Sequence, residues 1–288
     1  MVIAKYPSTK TEQQLRQITY MLLLNGTLVG CSGLIHGKMG IAIFFFFCAR
    51  HTGNGLFEEY ALDLIGEIQE QIHANSPTDY KRGIAGIGVG IDYLIRNNFL
   101  DADDDIFDDF DQRMYRAVMY DPWQDFSLYD GLIGYGKYWI SRLCQNSSNM
   151  QAQECLLFIT RKIEQKLSDI SETVLTDVYC FIHDLQKISD FYICIGLWKK
   201  CQKLPSDNCR SFFRLGDSSV GNIIRKYQYN HYFGYTLKNY NDSISKQIQS
   251  MNMEKPPVNM GLLTGYAGEG LLRLTVINKT DMSWMLLF

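Results

Sequence analysis

The chain has 288 residues, 46% of them hydrophobic and 20% charged, which is enough apolar material for a sizeable buried core. Its net charge of −3 excludes the strongly basic surface that follows a phosphate backbone, so we expect no nucleic-acid partner. The most apolar stretch, residues 39–49, is only about half as long as a bilayer-crossing helix, so we also expect no integral membrane segment.

Apolar and amphipathic helical patterns alternate along the first half of the chain. Residues 12–24 carry apolar groups at helical spacing, and Asn25-Gly26 ends that helix. A buried helix over 39–49 and an amphipathic one over 53–75 follow, and the alternation continues with 83–96, 106–119, 131–143 and a stripe at Leu156, Ile159, Ile163 and Leu167. Strand signals are few. The pattern therefore predicts an all-α fold, with an inner layer of buried helices and an outer layer of half-exposed ones.

A short phrase, Gly-x-x-Gly followed by an apolar and then a small residue, opens several of the buried helices. It begins at Gly37, Gly83 and Gly131, and in a weaker form at Gly265. The first three starts lie 46 and 48 residues apart, and the fourth lies 134 beyond the third, close to three more steps. Such a period predicts stacked supersecondary units, which we expect to form one domain over residues 1–288.

The glycines at these helix starts have two interpretations. Bare α-carbons allow helices to pack closely and turns to be tight. They also allow several helix N-termini to converge on a central cavity, where free N–H groups would suit a peptide carbonyl or an anion. The second interpretation makes these residues candidates for binding a peptide in that cavity: His36, Gly37, Gly83, Gly131, Arg214 and Tyr266.

Four stretches together resemble the lanthionine synthetase C-like family, in the divergent form associated with Bacteroides-type bacteria. They are 33–46, 82–94, 127–136 and 261–274, each containing a glycine phrase. The resemblance is good over residues 30–145 and 260–275 and poor between them. It implies an α/α toroid, a double ring of inner and outer helices, in agreement with the periodicity.

The resemblance also implies a chemistry, thioether ring formation in ribosomally made peptides. In that family a zinc ion lowers the pKa of a peptide cysteine, whose thiolate adds to a dehydrated serine or threonine. The zinc is held by a cysteine in one late repeat and by an adjacent Cys-His pair in the next, and a histidine and an aspartate handle protons. His183 matches the histidine, although Asp184 follows it instead of glycine, and Asp125 and Asp130 lie near the expected aspartate.

The sequence departs from that family at the zinc ligands. None of its five histidines follows a cysteine, and Arg214-Leu215 stands where the resemblance expects the Cys-His pair. We therefore expect no zinc cofactor and a peptide-binding or accessory pseudo-cyclase. Its partner would be a ribosomally made precursor peptide or a peptide-modifying enzyme.

An active zinc cyclase with rearranged ligands stays open as an alternative. Thiolates and imidazole are the ligands that zinc prefers, and one region of the chain is rich in both. The candidates are Cys180, His183, Cys194, Cys201 and Cys209. The last three are spaced seven and eight apart, which on a helix also suits a buried apolar stripe. With no secretory signal visible, we expect all eight cysteines to be reduced and the protein to be cytoplasmic.

Two further readings concern acidic residues. A carbohydrate-active ring enzyme would need two carboxylates facing the cavity, for which Asp92 and Asp130 are the obvious pair. The acidic run 101–111 has the alternation of a calcium loop, but Ile106 and Gln112 replace the glycine and glutamate that such a loop requires. We expect that run to be a solvated helix start.

Overall fold

The computed structural model describes residues 9–101, 107–121, 125–188, 219–234, 240–253, 259–278 and 282–288. Across these ranges the secondary structure is helical apart from an isolated bridge between Asn259 and Gly265. The α-helices are α1 (Lys10–Asn25), α2 (Lys38–Thr52), α3 (Gly55–Gln71), α4 (Ile84–Arg96), α5 (Asp108–Met119), α6 (Leu132–Gln145), α7 (Met150–Lys166), α8 (Glu172–Gln186), α9 (Ser219–Phe233), α10 (Tyr240–Ser250) and α11 (Tyr266–Asn278). A 3₁₀ helix covers Ser283–Leu287.

Buried and half-exposed helices alternate as the sequence predicts. Every residue of α2 from Lys38 to Cys48 is buried, and α4 and α11 are buried over most of their length. By contrast, α3, α5 and α7 bury only one stripe each. The seven helices predicted up to residue 167 are all present, with boundaries close to those expected. The glycine phrases therefore do mark the buried helices.

The described residues fall into two compact units. The first lies within residues 1–72 and 215–288 and contains α1 to α3, α9 to α11 and the 3₁₀ helix. In it, α11 packs against α1, α2 and α10. The Glu269 and Arg273 side chains, both fully buried, form an ion pair on α11. Arg273 also donates to Gln14 Oε1 on α1 and to the carbonyl of Met251, so one buried guanidinium connects three segments.

The second unit lies within residues 73–214 and contains α4 to α8. Helix α6 is its centre and packs against the other four helices. The expectation of a solvated acidic run is wrong at its last residue. Asp111 is buried and accepts hydrogen bonds from Arg142 on α6 and from the Tyr138 hydroxyl. This carboxylate therefore fixes α5 to α6; residues 102–106 of the run lie outside the described ranges.

Candidate functional site

Four loops of the same design precede the buried helices α2, α4, α6 and α11. We call them the first, second, third and last glycine loops: residues 31–37, 77–83, 125–131 and 259–265. In each, the first N–H of the helix donates to the carbonyl of the first loop residue, at 2.9–3.0 Å. These pairs are Lys38 to Cys31, Ile84 to Pro77, Leu132 to Asp125 and Tyr266 to Asn259. In the first, second and last loops the second helical N–H is likewise donated to the next loop carbonyl.

The glycine ending each loop is required by space. Gly37, Gly83 and Gly131 are the N-caps of their helices, with φ of −118°, −105° and −121°, which any residue can adopt. A Cβ on Gly37 or Gly131, however, would lie 2.5 Å from a carbonyl oxygen of its own loop, and one on Gly83 closer still. The loop thus covers the helix start. The prediction that these N-termini present free N–H groups to a cavity is wrong for the N–H groups that donate to the loop carbonyls.

Neighbouring glycine loops are joined to each other in a constant direction. In the first unit, Leu262 N–H of the last loop donates to Ile35 carbonyl of the first loop at 2.9 Å. In the second unit, Tyr80 N–H donates to Tyr129 carbonyl of the third loop at 3.2 Å. In both bonds the donor is the third residue before the glycine that ends its loop, and the acceptor is the second residue before the glycine that ends the neighbouring loop. The last repeat is therefore the neighbour of the first.

A second contact recurs between neighbouring buried helices. The glycine five residues beyond the N-cap faces an aromatic ring seven residues beyond the next N-cap. Thus Phe44 packs on Gly270 in the first unit, and Tyr138 packs on Gly88 in the second. Phe181 of α8 packs in the same way on Gly136. By this contact α8 takes the fourth place in the series after α2, α4 and α6, although it carries no glycine phrase and buries only Val178, Phe181, Ile182 and Leu185 among its described residues.

The fourth repeat has lost its glycine loop. Twelve residues separate α1 from α2, α3 from α4 and α5 from α6, whereas five (167–171) separate α7 from α8. The third loop consequently has no neighbouring loop carbonyl to bond. Instead, Leu128 N–H donates to Asp177 Oδ2 on α8 at 2.9 Å. A side-chain carboxylate replaces a backbone acceptor, and sequence reasoning missed it because nothing in the local sequence marks Asp177.

His36 lies beside the first glycine loop's N-cap, half-buried, and contacts the last loop. Its Nδ1 is 3.1 Å from Asn259 Nδ2, while Asn259 Oδ1 accepts the Gly261 N–H at 2.8 Å. Since a backbone N–H is always the donor, the amide orientation is fixed and Nδ2 donates to the imidazole. His36 Nδ1 is therefore an acceptor and the ring proton lies on Nε2. The other candidate in this unit, Tyr266, is buried at the start of α11.

Asp125 and Asp130 are both exposed in the third glycine loop. Asp125 accepts the Ser127 N–H at 2.9 Å and the Ser127 hydroxyl at 2.6 Å, so its carboxylate shapes the loop. Asp130 does not cap α6, because the N-cap of that helix is Gly131 and no side chain bonds the helix start.

The structure places His183 in the last turn of α8, far along the helix from the end that the glycine loops occupy. Its ring stacks on Tyr179, and its Nδ1 lies 3.6 Å from Asp184 Oδ1. Lys137 of α6 also approaches Asp184, at 3.5 Å. Cys180 lies one turn before His183 on the same helix.

The alternative metal site cannot be built from the described ranges alone. Within them, no group of three or more His, Cys, Asp or Glu is placed to hold a metal ion. Cys194, Cys201, Cys209 and Arg214 lie outside the described residues. None of the five described cysteines forms a disulfide, and burial raises the pKa of the Cys48 and Cys155 thiols.

Asp92 and Asp130 do not form a glycosidase pair. Asp92 is fully buried on α4, ion-paired with Arg96 at 2.7 Å and hydrogen-bonded by Gln145 at 2.6 Å. Burial raises the pKa of its carboxyl, although Arg96 and Gln145 act in the opposite direction. Because α4 and α6 begin at joined loops, Asp92 is about 13 Å of helix rise from that end. Paired glycosidase carboxylates are roughly 5–9.5 Å apart.

Two clefts flank the first turn of α6. The α5 cleft has a volume of about 520 Å³ and is lined by Thr78, Arg113, Arg116, Tyr120 and Tyr135 among others. The α7 cleft has a volume of 420 Å³ and is lined by Phe126, Leu132, Lys162, Lys166 and Val174 among others. The short α7–α8 linker forms one wall of the α7 cleft, at residues 169–171. Neither cleft could be found from sequence, because each is assembled from three separate segments.

Comparisons with known proteins bear on the fold. No family model and no curated protein matches the chain. Among solved structures, a "Nisin cyclase" matches with a TM-score of 0.51, covering 96% of this chain and 96% of that one at 13% identity. The fold is an all-α, α/α toroid. This confirms the predicted fold class. The same comparison bears on the family resemblance at the level of the fold alone. Separately, no described helix is long and apolar enough to span a bilayer.

Proposed function

We propose that this chain is a lanthionine synthetase C-like protein that takes part in modifying ribosomally made peptides, as a peptide-binding or accessory pseudo-cyclase. The divergent, Bacteroides-type form of the family and a cytoplasmic location belong to the same proposal. The fold supports this proposal, because it resembles that of a nisin cyclase over 96% of both chains. Within that fold, four glycine loops cover the starts of their helices, and two pairs of these loops are joined by hydrogen bonds.

One observation carries the accessory role. The sequence has Arg214-Leu215 where the resemblance expects the adjacent Cys-His pair, and no such pair elsewhere. An arginine beside a leucine offers no metal ligand, because a guanidinium is always protonated and has no lone pair to donate. A zinc-activated thiolate would then have to come from a partner enzyme. The proposed role is to hold the precursor peptide for that enzyme.

The second candidate is a zinc cyclase with rearranged ligands. Cys180 and His183 favour it, since they lie one turn apart on α8 and share a face of that helix. The remaining ligands would be drawn from Cys194, Cys201 and Cys209. A bound zinc would supply Lewis acidity and a thiolate at neutral pH.

Metal content separates the two candidates. The protein is purified from zinc-supplemented medium without chelator or affinity metal, and its zinc is measured by plasma mass spectrometry. We expect well under 0.1 zinc per chain, unchanged in Cys180→Ser and Cys201→Ser. Stoichiometric zinc that both substitutions remove, with Cys31→Ser as the matched control that keeps it, would establish the zinc cyclase instead.

A binding measurement then tests the peptide role. Short precursor-like peptides encoded near the gene are synthesised and titrated into the protein by calorimetry. Binding in the presence of excess chelator supports a metal-independent accessory role. Absence of binding to every such peptide, in a protein that also lacks zinc, would rule the proposal out.

A further inference from the structure

The α5 cleft and the α7 cleft occupy equivalent positions in consecutive repeats. Each lies between a glycine loop, represented by Thr78 or Phe126, and the C-terminal half of the next outer helix. Arg116 is the basic residue in the last turn of α5, and Lys166 is the basic residue in the last turn of α7. A binding feature present in successive repeats of an array forms an extended surface.

The first turn of α6 contributes one residue to each cleft. Leu132 lines the α7 cleft and Tyr135, one turn further on, lines the α5 cleft. Helices α5 and α7 pack against each other. Because packed helices are about 8–10 Å apart, the cations in the last turns of these two helices are separated by about that distance. An extended peptide advances about 3.3 Å per residue. One bound chain would therefore pass from cleft to cleft in about three residues.

The chemistry of the clefts combines cations with apolar and aromatic walls. The cations are Arg113, Arg116, Lys162 and Lys166, and the carboxylates are Asp121, Asp125 and Asp169. The Asp125 carboxylate already accepts hydrogen bonds from Ser127, and Arg113 donates to the carbonyls of Ala74 and Ser76. Lys166 and Asp169 lie 3.8 Å apart at the surface, with both side chains more than half exposed. Such a pair contributes little, and a ligand carboxylate can replace it.

Each cleft has an apolar or aromatic wall, but different residues form it. Tyr135 is buried, its hydroxyl 2.9 Å from the Thr78 hydroxyl, and Tyr120 is 78% exposed at the mouth of the α5 cleft. In the α7 cleft, Phe126 and Val174 take their place. Loss of the fourth glycine loop exposes this second wall, because the linker that borders it is seven residues shorter than its counterparts.

We propose that the two clefts form one groove for an extended peptide carrying two acidic side chains about three residues apart, with apolar residues between them. The inference rests on the proposed function and assigns the place where the precursor peptide is held. One acidic side chain contacts Arg116 and the other contacts Lys166. The residues between them pass over the first turn of α6.

The test is fluorescence anisotropy with labelled synthetic dodecapeptides and the full-length protein. The first probe carries two glutamates three residues apart in a Leu- and Ser-containing chain. Two matched probes carry glutamine at those positions, or the two glutamates adjacent to each other. We expect the first probe to bind at least tenfold more tightly than either control, and its affinity to fall with added salt.

Charge reversals locate the binding. Arg116→Glu with Lys166→Glu should weaken the first probe at least tenfold, and the milder pair Arg116→Gln with Lys166→Gln at least threefold if the reversal variant does not fold. The matched control reverses two exposed arginines outside the clefts, Arg16→Glu with Arg161→Glu, and should change affinity less than twofold.

Three results would overturn the groove. They are equal losses in the cleft and control variants, no loss in the cleft variants, or equal binding of all three probes. In each case the cations would serve only the C-termini of α5 and α7. The zinc and calorimetric measurements are independent of these probes, so failure of the groove leaves the accessory role to be judged on its own.

Discussion

At the scale of single residues, some positions accept only glycine because backbone atoms pack against the α-carbon. Gly83 has an ordinary extended backbone, yet nothing larger fits there, because the Pro77 carbonyl and the Asp79 N–H of its own loop lie against the α-carbon. These are backbone atoms, which cannot rotate away as the end of a flexible side chain can. The glycine is therefore required by the loop folding back over the start of α4.

Substitution of Gly83 by alanine should destabilise the protein by about 1–3 kcal/mol, the usual range for forcing an extra carbon into a packed site. The matched control is Gly66→Ala in α3, where a Cβ would meet nothing within 4 Å. There alanine should stabilise by about 0.5–1 kcal/mol through helix propensity. Urea unfolding of the two variants measures both effects. Changes of the same sign at both positions would show that Gly83 is not held by this contact.

At the scale of elements, α8 differs from α2, α4, α6 and α11 because no glycine loop precedes it. Its position in the series is set by Phe181, which packs on Gly136 as Phe44 packs on Gly270. Asp177 then supplies the acceptor that a fourth glycine loop would have supplied to Leu128 N–H. Leu128 is buried, so this donor has no access to bulk water if its partner is removed.

Replacing Asp177 by leucine should cost about 1.5–3 kcal/mol, because it leaves a buried N–H without its charged acceptor. Asp177→Asn keeps an oxygen in the same place and should recover at least half of that loss. Hydrogen exchange at the Leu128 amide should accelerate in the leucine variant and stay near the wild-type rate in the asparagine variant. Unchanged exchange in both would mean that Asp177 does not hold the third loop.

The helices of the first half could be predicted from sequence, because their periodicity and glycine phrases are local signals. Helix α2, for example, was expected over 39–49 and covers Lys38–Thr52. The fourth repeat could not be recognised in this way. Its helix lacks the phrase, and the expected role of His183 came from the family resemblance alone. His183 lies in the last turn of α8.

Site features were less predictable than helices because they depend on distant contacts. Free N–H groups were expected at the helix starts, but the first of them donates to a loop carbonyl seven residues earlier in the chain. The role of Asp177 and both clefts likewise arise from segments that meet only in the fold. A single sequence carries no signal for such meetings.

At the scale of the whole molecule, the chain returns to its beginning. The last glycine loop bonds to the first through Leu262 and Ile35, and Phe44 of α2 packs on Gly270 of α11. The same two contacts therefore join consecutive repeats within the second unit and the last and first repeats within the first unit.

A double-mutant cycle tests the contact between the last and first repeats. The three atoms nearest to a Cβ on Gly270 would all belong to the Phe44 ring. We therefore expect Gly270→Ala to cost about 1–3 kcal/mol and Phe44→Leu a comparable amount. Together they should cost about 1 kcal/mol less than the sum, because the smaller side chain leaves room for the methyl group. Gly136→Ala with Phe181→Leu, the equivalent pair in the second unit, should show coupling of the same sign. Strict additivity at Gly270 and Phe44, with coupling retained at Gly136 and Phe181, would mean that the last and first repeats are not joined as consecutive repeats are.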